Sequence, residues 1–473
     1  VFETVIQSIF SAAFIAAILR GTTPILFPSL GSLVSGLAGV GNIGLEGMML
    51  GAAFTGAVVS AFAGPVVGST WAPWVGLLSG CGISVAMAMV IGIFHLKFKG
   101  DLILSGVAIN ILGSAATVAI LYEITGNRGD SNDLASFQMP FIQLPEMTAP
   151  AGFNSIGDHL YGAVYFLRSI FHNLNLMTYL AFILVVVVWF MLYRTPFGMH
   201  LRAAGENPSA AESVGIRVTR VRYAALALSG LFAGFGGIHL SMGYLSLFQR
   251  DMTAGRGYIA LATPLLGGSN PVGTGIASLV FGFFDALAIR VGSLQIPSML
   301  PQMVPFIATI MALVIYALQT RQVTRVRALR AVEGENFNAR YWRVVQRLSV
   351  LHVVLAMIAV IGVILVISLI AAPDGFGGVD AALPLALIIG AASLTLIALN
   401  LPFVQRVERI TSNAAFSLIA TAISLAVYFG LFLSLFFDAL PALILGAALA
   451  LALWVLFGGW RLLRPAQRSL ATA

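Results

Sequence analysis

Two polar side chains four positions apart, Asn42 and Glu46, interrupt an otherwise apolar stretch, GNIGLEGMMLGA, at residues 41–52. Four positions is about one helical turn, so both face the same way on a helix. Asn42 is placed to cap it and Glu46 lies near its positive end. A carboxylate at membrane depth costs roughly 2.5–3.5 kcal/mol on insertion scales, so Glu46 needs a partner or a water-filled path. Two uses fit: hydrogen bonding to a polar solute along such a path, or pinning glycine-rich backbone between spans. Ser105, Asn110 and Ser114 pose the same choice in the stretch that begins DLILSGVAINIL at Asp101, with Ser105 and Asn110 near one face. Gln249, Arg250, Asp251 and Arg256 precede GYIALA and are expected in an external loop that another protein could reach, or that is simply solvated. Asp285 and Arg290 are expected to form a structural or interfacial pair.

A different kind of segment lies at residues 201–218, LRAAGENPSAAESVGIRV, polar and rich in small residues between two strongly apolar stretches. Asn207 is suited to cap a helix starting at Pro208, where a missing amide hydrogen costs nothing, and Gly215 is suited to close it about two turns later. Glu206, Ser209 and Glu212 keep its surface polar. The spacing predicts a short exposed helix between membrane spans.

Other chemistries find no support. His95, His200 and His239 are scattered without metal-ligand spacing, and the single cysteine, Cys81, allows neither an intrachain disulfide nor a multi-cysteine metal site. No nucleophile and base pair stands out. Glycine runs such as GLAGVGNIGLEG and SGLFAGFGG lie in apolar spans and suit close helix approach rather than dinucleotide binding. The chain has only two lysines, both in HLKFKG, and no GxxxxGK[ST] loop to cradle phosphates. No ATPase is encoded in these residues.

The elements that must position these groups are membrane helices. Of 473 residues 59% are hydrophobic and 9% charged, which describes an all-α polytopic transmembrane bundle. Spans are expected near 3–19, 24–40, 43–63, 72–94, 102–124, 176–193, 223–244, 258–269, 273–290 and 301–319, about ten in all. The stretch 258–269 is too short to cross alone and GGSNPVGTG breaks it from its successor, so a half helix or re-entrant piece is expected there. A basic linker over 321–349 and about four further spans within 350–473 follow. The first segment carries Glu3 rather than a basic start and lacks a small-residue cleavage signal, so it is read as a retained span.

A cytoplasmic N-terminus puts Lys97 and Lys99, five arginines at 194–222, seven at 321–347, Arg406 and Arg409, and three at 461–468 on one side. These are 19 of the 25 basic residues, so that side is cytoplasmic and the C-terminus lies there too. The loop over about 125–175 is then external and the polar helix at Pro208 faces the cytoplasm. The net charge of +7 sits in short loops rather than a stripe, which argues against nucleic acid as a partner.

Four segments together resemble the integral membrane permeases of bacterial ABC importers for nucleosides and simple sugars: GNIGLEGMMLGA, DLILSGVAINIL, YRTPFGMHLRAAGENPSAAESVGI and MTAGRGYIALA. Each is weak as a pattern. Their order and spacing across residues 20–320 make the match specific. The resemblance implies a type II importer-like permease core over 1–320 in the bacterial cytoplasmic membrane, without a cofactor of its own. It further implies that ATP and Mg are bound by a separate cytoplasmic ATPase, and that Glu206, Asn207, Pro208, Ser209, Glu212 and Gly215 form the coupling helix seated on it. A second, non-identical permease is implied by the NIGLEGMM wording, which looks like the shorter of two sibling permeases. An extracytoplasmic binding protein would dock at Gln249, Arg250, Asp251 and Arg256, and Asn42, Glu46, Ser105 and Asn110 would line the substrate path. Nucleosides lead as cargo and ribose-like sugars follow. In an ion-coupled secondary transporter, the different class of reading, Glu46 or Asp285 would carry the coupling ion. The four additional C-terminal spans depart from the family pattern, and their role is open.

Overall fold

The computed structural model describes residues 12–134, 136–144 and 168–292, with four isolated positions nearer the C-terminus. Up to Ala288 these residues belong to one compact unit. Its helices in chain order are α1 (Ala12–Leu37), α2 (Leu45–Val67), α3 (Ala72–Gly92), α4 (Leu102–Thr125), α5 (Leu176–Arg194), α6 (Pro196–Glu206), α7 (Pro208–Ser213), α8 (Val218–Ile238), α9 (Arg256–Leu266) and α10 (Pro271–Gly292). Helices α3 and α8 each run on into a π-helical turn, Ile93–Lys97 and His239–Tyr244. Six of these helices are long and apolar enough to cross a membrane. Ten crossings cannot be counted in the described residues. The expected span at 301–319, the basic linker 321–349 and the spans within 350–473 lie outside them.

Caps set the helix starts where a polar residue meets an apolar run. The Asp101 carboxylate accepts the Leu104 amide (2.8 Å), the Asn175 side chain accepts the Met177 amide (2.9 Å), and Thr195 with Pro196 opens α6. Packing then depends on small residues. Gly47 of α2 lies on the backbone of α4 so closely that a Cβ there would stand 2.3 Å from the Ile109 carbonyl oxygen, and one on Gly237 of α8 would stand 2.0 Å from that of Met49. Such contacts bring α2 into the grip of α4 and α8. Around them Leu26, Phe27, Leu30, Val34, Ile238 and Met242 form the buried core.

One departure from expectation has a clear cause. Spans at 3–19 and 24–40 with a turn between them are replaced by one helix, Ala12–Leu37, which passes straight through Arg20 to Thr23 and contains Pro24 and Pro28. The polar patch there needs no loop, because the Thr22 and Thr23 hydroxyls donate to carbonyls four residues back, at 2.7 and 2.8 Å. A cytoplasmic N-terminus depended on that turn and loses its support. Within the segment expected as an external loop, about 125–175, a short strand β1 (Phe141–Ile142) pairs antiparallel with β2 (Leu174–Asn175).

The half helix is present: α9 has 11 residues, about 17 Å, and a turn over 267–270 separates it from α10. Gly47→Val should cost at least about 1–3 kcal/mol by overpacking. A lower melting temperature in detergent, against an unchanged one for Gly36→Ala where a Cβ meets nothing within 4 Å, is the expected result.

Candidate functional site

Glu46 lies in the first turn of α2 and is 8% exposed. Its Oε1 accepts the Thr253 hydroxyl at 2.6 Å and the Gly255 amide at 2.8 Å, and its Oε2 accepts the Gly257 amide at 2.7 Å. These donors surround the start of α9, so the carboxylate supplies the negative charge and the acceptors that a helix N-terminus lacks. Gly255 holds φ +77° at the N-cap of α9, a left-handed conformation that favours glycine. Gly257 has no room for a side chain, since a Cβ would stand 2.6 Å from the Glu46 amide nitrogen. The motifs around residues 46 and 257 are thus two halves of one joint.

Asn42 does not cap α2, and it does not share a helical face with Glu46. The helix begins only at Leu45 with Gly44 as N-cap, and Asn42 precedes it in a turn in which its Oδ1 accepts the Gly44 amide (3.1 Å). Its Nδ2 donates to the Ser229 hydroxyl of α8 at 2.9 Å, and it is fully buried. The local one-turn spacing was overridden by a partner 187 positions away. Asn110 serves the same joint from the other side: Oδ1 accepts the Gly47 amide (2.8 Å) and Nδ2 donates to the Ile43 carbonyl (3.0 Å). Ser105 stays apart, its hydroxyl returned to the Asp101 carbonyl at 2.7 Å.

Arg256 is the first residue of α9 and not part of an exposed loop. One guanidinium nitrogen reaches both oxygens of Asp285 on α10 at 3.0 Å, and the two side chains are 18% and 12% exposed. Asp285 therefore has Arg256 as an ionic partner, and the side chain of Arg290, expected to pair with it, lies outside the described residues. A lone carboxylate on an apolar span demands a cation, and Arg256 supplies one. Both carboxylates that ion coupling would call on, Glu46 and Asp285, are thus engaged within the protein. Gln249, Arg250 and Asp251 are exposed, and Gln249 pairs with Asp130.

At the other end of the bundle α7 hangs between α6 and α8. The Asn207 side chain accepts the Ala210 amide at 3.1 Å, Pro208 is the first helical residue and Gly215 has φ +86°. Ala211 anchors it against Ala204 and Val218, while Glu206, Ser209, Glu212 and Gly215 are exposed and Val214 is 75% exposed. Arg222 ties this region to the end of α1, its Nε donating to the Ala38 carbonyl at 3.3 Å. The chain passes directly from α1 into the turn that carries Asn42.

Sequence reasoning missed Thr253, Gly255 and Gly257 as the donors to Glu46, and Ser229 as the acceptor for Asn42. The one signal was TAGRG, a donor-rich glycine turn directly before an apolar helix.

Residues 14–318 match the family model described as "Branched-chain amino acid transport system / permease component". The "Guanosine ABC transporter permease protein NupQ" of Bacillus subtilis is 34% identical over 63% of this chain and 90% of its own length. The "Nucleoside ABC transporter permease protein NupC" of Lactococcus lactis is 31% identical, over 64% and 91%. TsgC13 of Haloferax volcanii, a permease protein whose description names glucose, is 33% identical, over 61% and 80%. No solved structure matches.

The buried pair yields a direct test. Asp285→Ala strands the Arg256 charge and should cost about 3–5 kcal/mol, whereas Arg256→Met with Asp285→Leu should recover most of that loss. Thermal unfolding of the three purified proteins checks it.

Proposed function

We propose that this chain, which belongs to the permease-component family of branched-chain amino acid transport systems, is a membrane subunit of an ATP-driven importer that takes up nucleosides by alternating access. The carrying observation is α7, a capped polar helix that is anchored by Ala211 and presents Glu212, Ser209 and Val214 outward. A helix held by one small apolar contact, with its outer face free, suits a groove on another protein. In this reading the partner is a cytoplasmic ATPase that binds ATP and Mg, since the chain has no phosphate-cradling loop. Closure of that partner would move α7, and with it α6 and α8 on either side. The Arg222 link then carries the motion to the end of α1 and so to the Glu46 joint.

The remaining assignments follow the same scheme. The chain sits in the cytoplasmic membrane with α7 inside and pairs with a second, non-identical permease. A binding protein delivers solute at the outer loops, where Gln249 and Arg250 stand beside residues 129 and 130. Asn42, Glu46 and Asn110 shape the path by fixing its broken helix rather than by touching solute. The identities of NupQ and NupC favour nucleosides, and that of TsgC13 supports a sugar as the second reading.

The test is uptake of guanosine by vesicles carrying the full complex. Glu212→Arg and Glu206→Arg should each lower ATP-driven uptake by about tenfold, the equivalent of roughly 1.4 kcal/mol of lost coupling, with the chain inserted at normal levels. Uptake that survives removal of ATP and collapses with a proton or sodium gradient contradicts the proposal.

A further inference from the structure

A strip of polar groups descends one flank of α4. At its upper end the Arg128 guanidinium lies 4.5 Å from the ring centre of Tyr122, and the Arg250 amide donates to the Gly129 carbonyl at 2.8 Å. One residue on, the Asp251 carboxylate accepts the Ser114 hydroxyl at 3.1 Å. Ser114 is midway along α4, about 18 Å from either end. The Arg250 and Asp251 side chains are 59% and 57% exposed. They pair with each other at 3.3 Å, and a carboxylate turned toward acyl chains at that depth costs roughly 2.5–3.5 kcal/mol on insertion scales, a cost that a wet face removes. Below them Tyr258, in the first turn of α9, is 48% exposed and follows Gly257, whose amide donates to Glu46 next to the Gly47 amide that Asn110 holds, one turn from Ser114.

The strip therefore offers a carboxylate, a hydroxyl and an aromatic ring. Its cations are engaged, Arg250 with Asp251 at 3.3 Å and Arg128 over the Tyr122 ring, and the positive end of α9, which in broken membrane helices receives anionic groups, is already filled by Glu46. Its chemistry suits an uncharged solute that has hydroxyls to donate and a flat face to stack. We infer that Asp251, Ser114 and Tyr258 form a solute-contact strip in the import path, where Asp251 accepts hydrogen bonds from the vicinal sugar hydroxyls of a nucleoside and Tyr258 stacks on its base. This rests on the nucleoside-import reading and names the side chains that read the cargo.

Two measurements on the complete importer test it. In a Cys81→Ser background, Ser114→Cys should react with a membrane-impermeant maleimide added from outside, and guanosine should slow the reaction. A thiol that stays unreactive overturns the strip, whatever the complex transports. In uptake assays Asp251→Asn should raise KM for guanosine by about tenfold, the loss of a charged hydrogen bond, and leave KM for 2′,3′-dideoxyguanosine within about twofold. Tyr258→Leu should raise KM by about tenfold through lost stacking, and Tyr258→Phe should restore most of it. Equal effects of Asp251→Asn on both solutes, or no effect of Tyr258→Leu, overturn the solute contact. If the unsubstituted complex imports no guanosine although Ser114→Cys labels from outside, the import reading fails while the wet strip stands.

Discussion

The carboxylate of Glu46 is the constraint on which the rest of this unit depends. A helix that begins inside a membrane protein has unpaired amides and a positive end, with no water to satisfy either. Glu46 meets both needs of α9 at once, through the Thr253 hydroxyl and the Gly255 and Gly257 amides. The cost of burying the charge is offset by the same three donors, so neither partner is stable in this setting alone. Removal of the charge would leave buried donors at the start of α9, and removal of the glycines would close the space the carboxylate occupies.

The joint is held in turn from its flanks. Asn110 fixes the amide of Gly47 and the carbonyl of Ile43, and Asn42 ties the preceding turn to Ser229 of α8. Arg256 anchors the first residue of α9 to α10 through Asp285. These polar contacts join α2, α4, α8, α9 and α10 at one level of the bundle. The apolar contacts above and below are close helix approaches that lack direction of their own. The end of the bundle that carries α7 and the interior that carries the joint are connected through α1 and α8, and under the proposed function this is the physical route by which a partner ATPase acts on the path.

Much of this was legible in local patterns. The cap at Asn207, the proline at Pro208 and the left-handed Gly215 appear as their types predict, because capping depends on residues within a few positions of each other. The half helix was legible for a similar reason, since the apolar stretch 258–269 is too short to cross and GGSNPVGTG breaks it from its successor. What failed was pairing at a distance. Glu46 finds donors more than 200 positions away, and Asp285 is held by Arg256, 29 positions back on another helix. Charge and spacing identify a residue that needs a partner, but the close approach of glycine backbones decides which partner reaches it. The continuous α1 shows the same limit: Arg20, Gly21, Thr22 and Thr23 look like a loop until their hydroxyls turn back on the helix and Gly21 packs on Asp285.

The most direct measurement of this account is amide hydrogen exchange across residues 252–266 in the unsubstituted protein and in Glu46→Gln. The carboxylate should hold the start of α9 closed, so these amides should be strongly protected, and Glu46→Gln should expose them while α7 exchanges as before. Equal exchange in the two proteins would contradict the claim that Glu46 holds the broken helix in place.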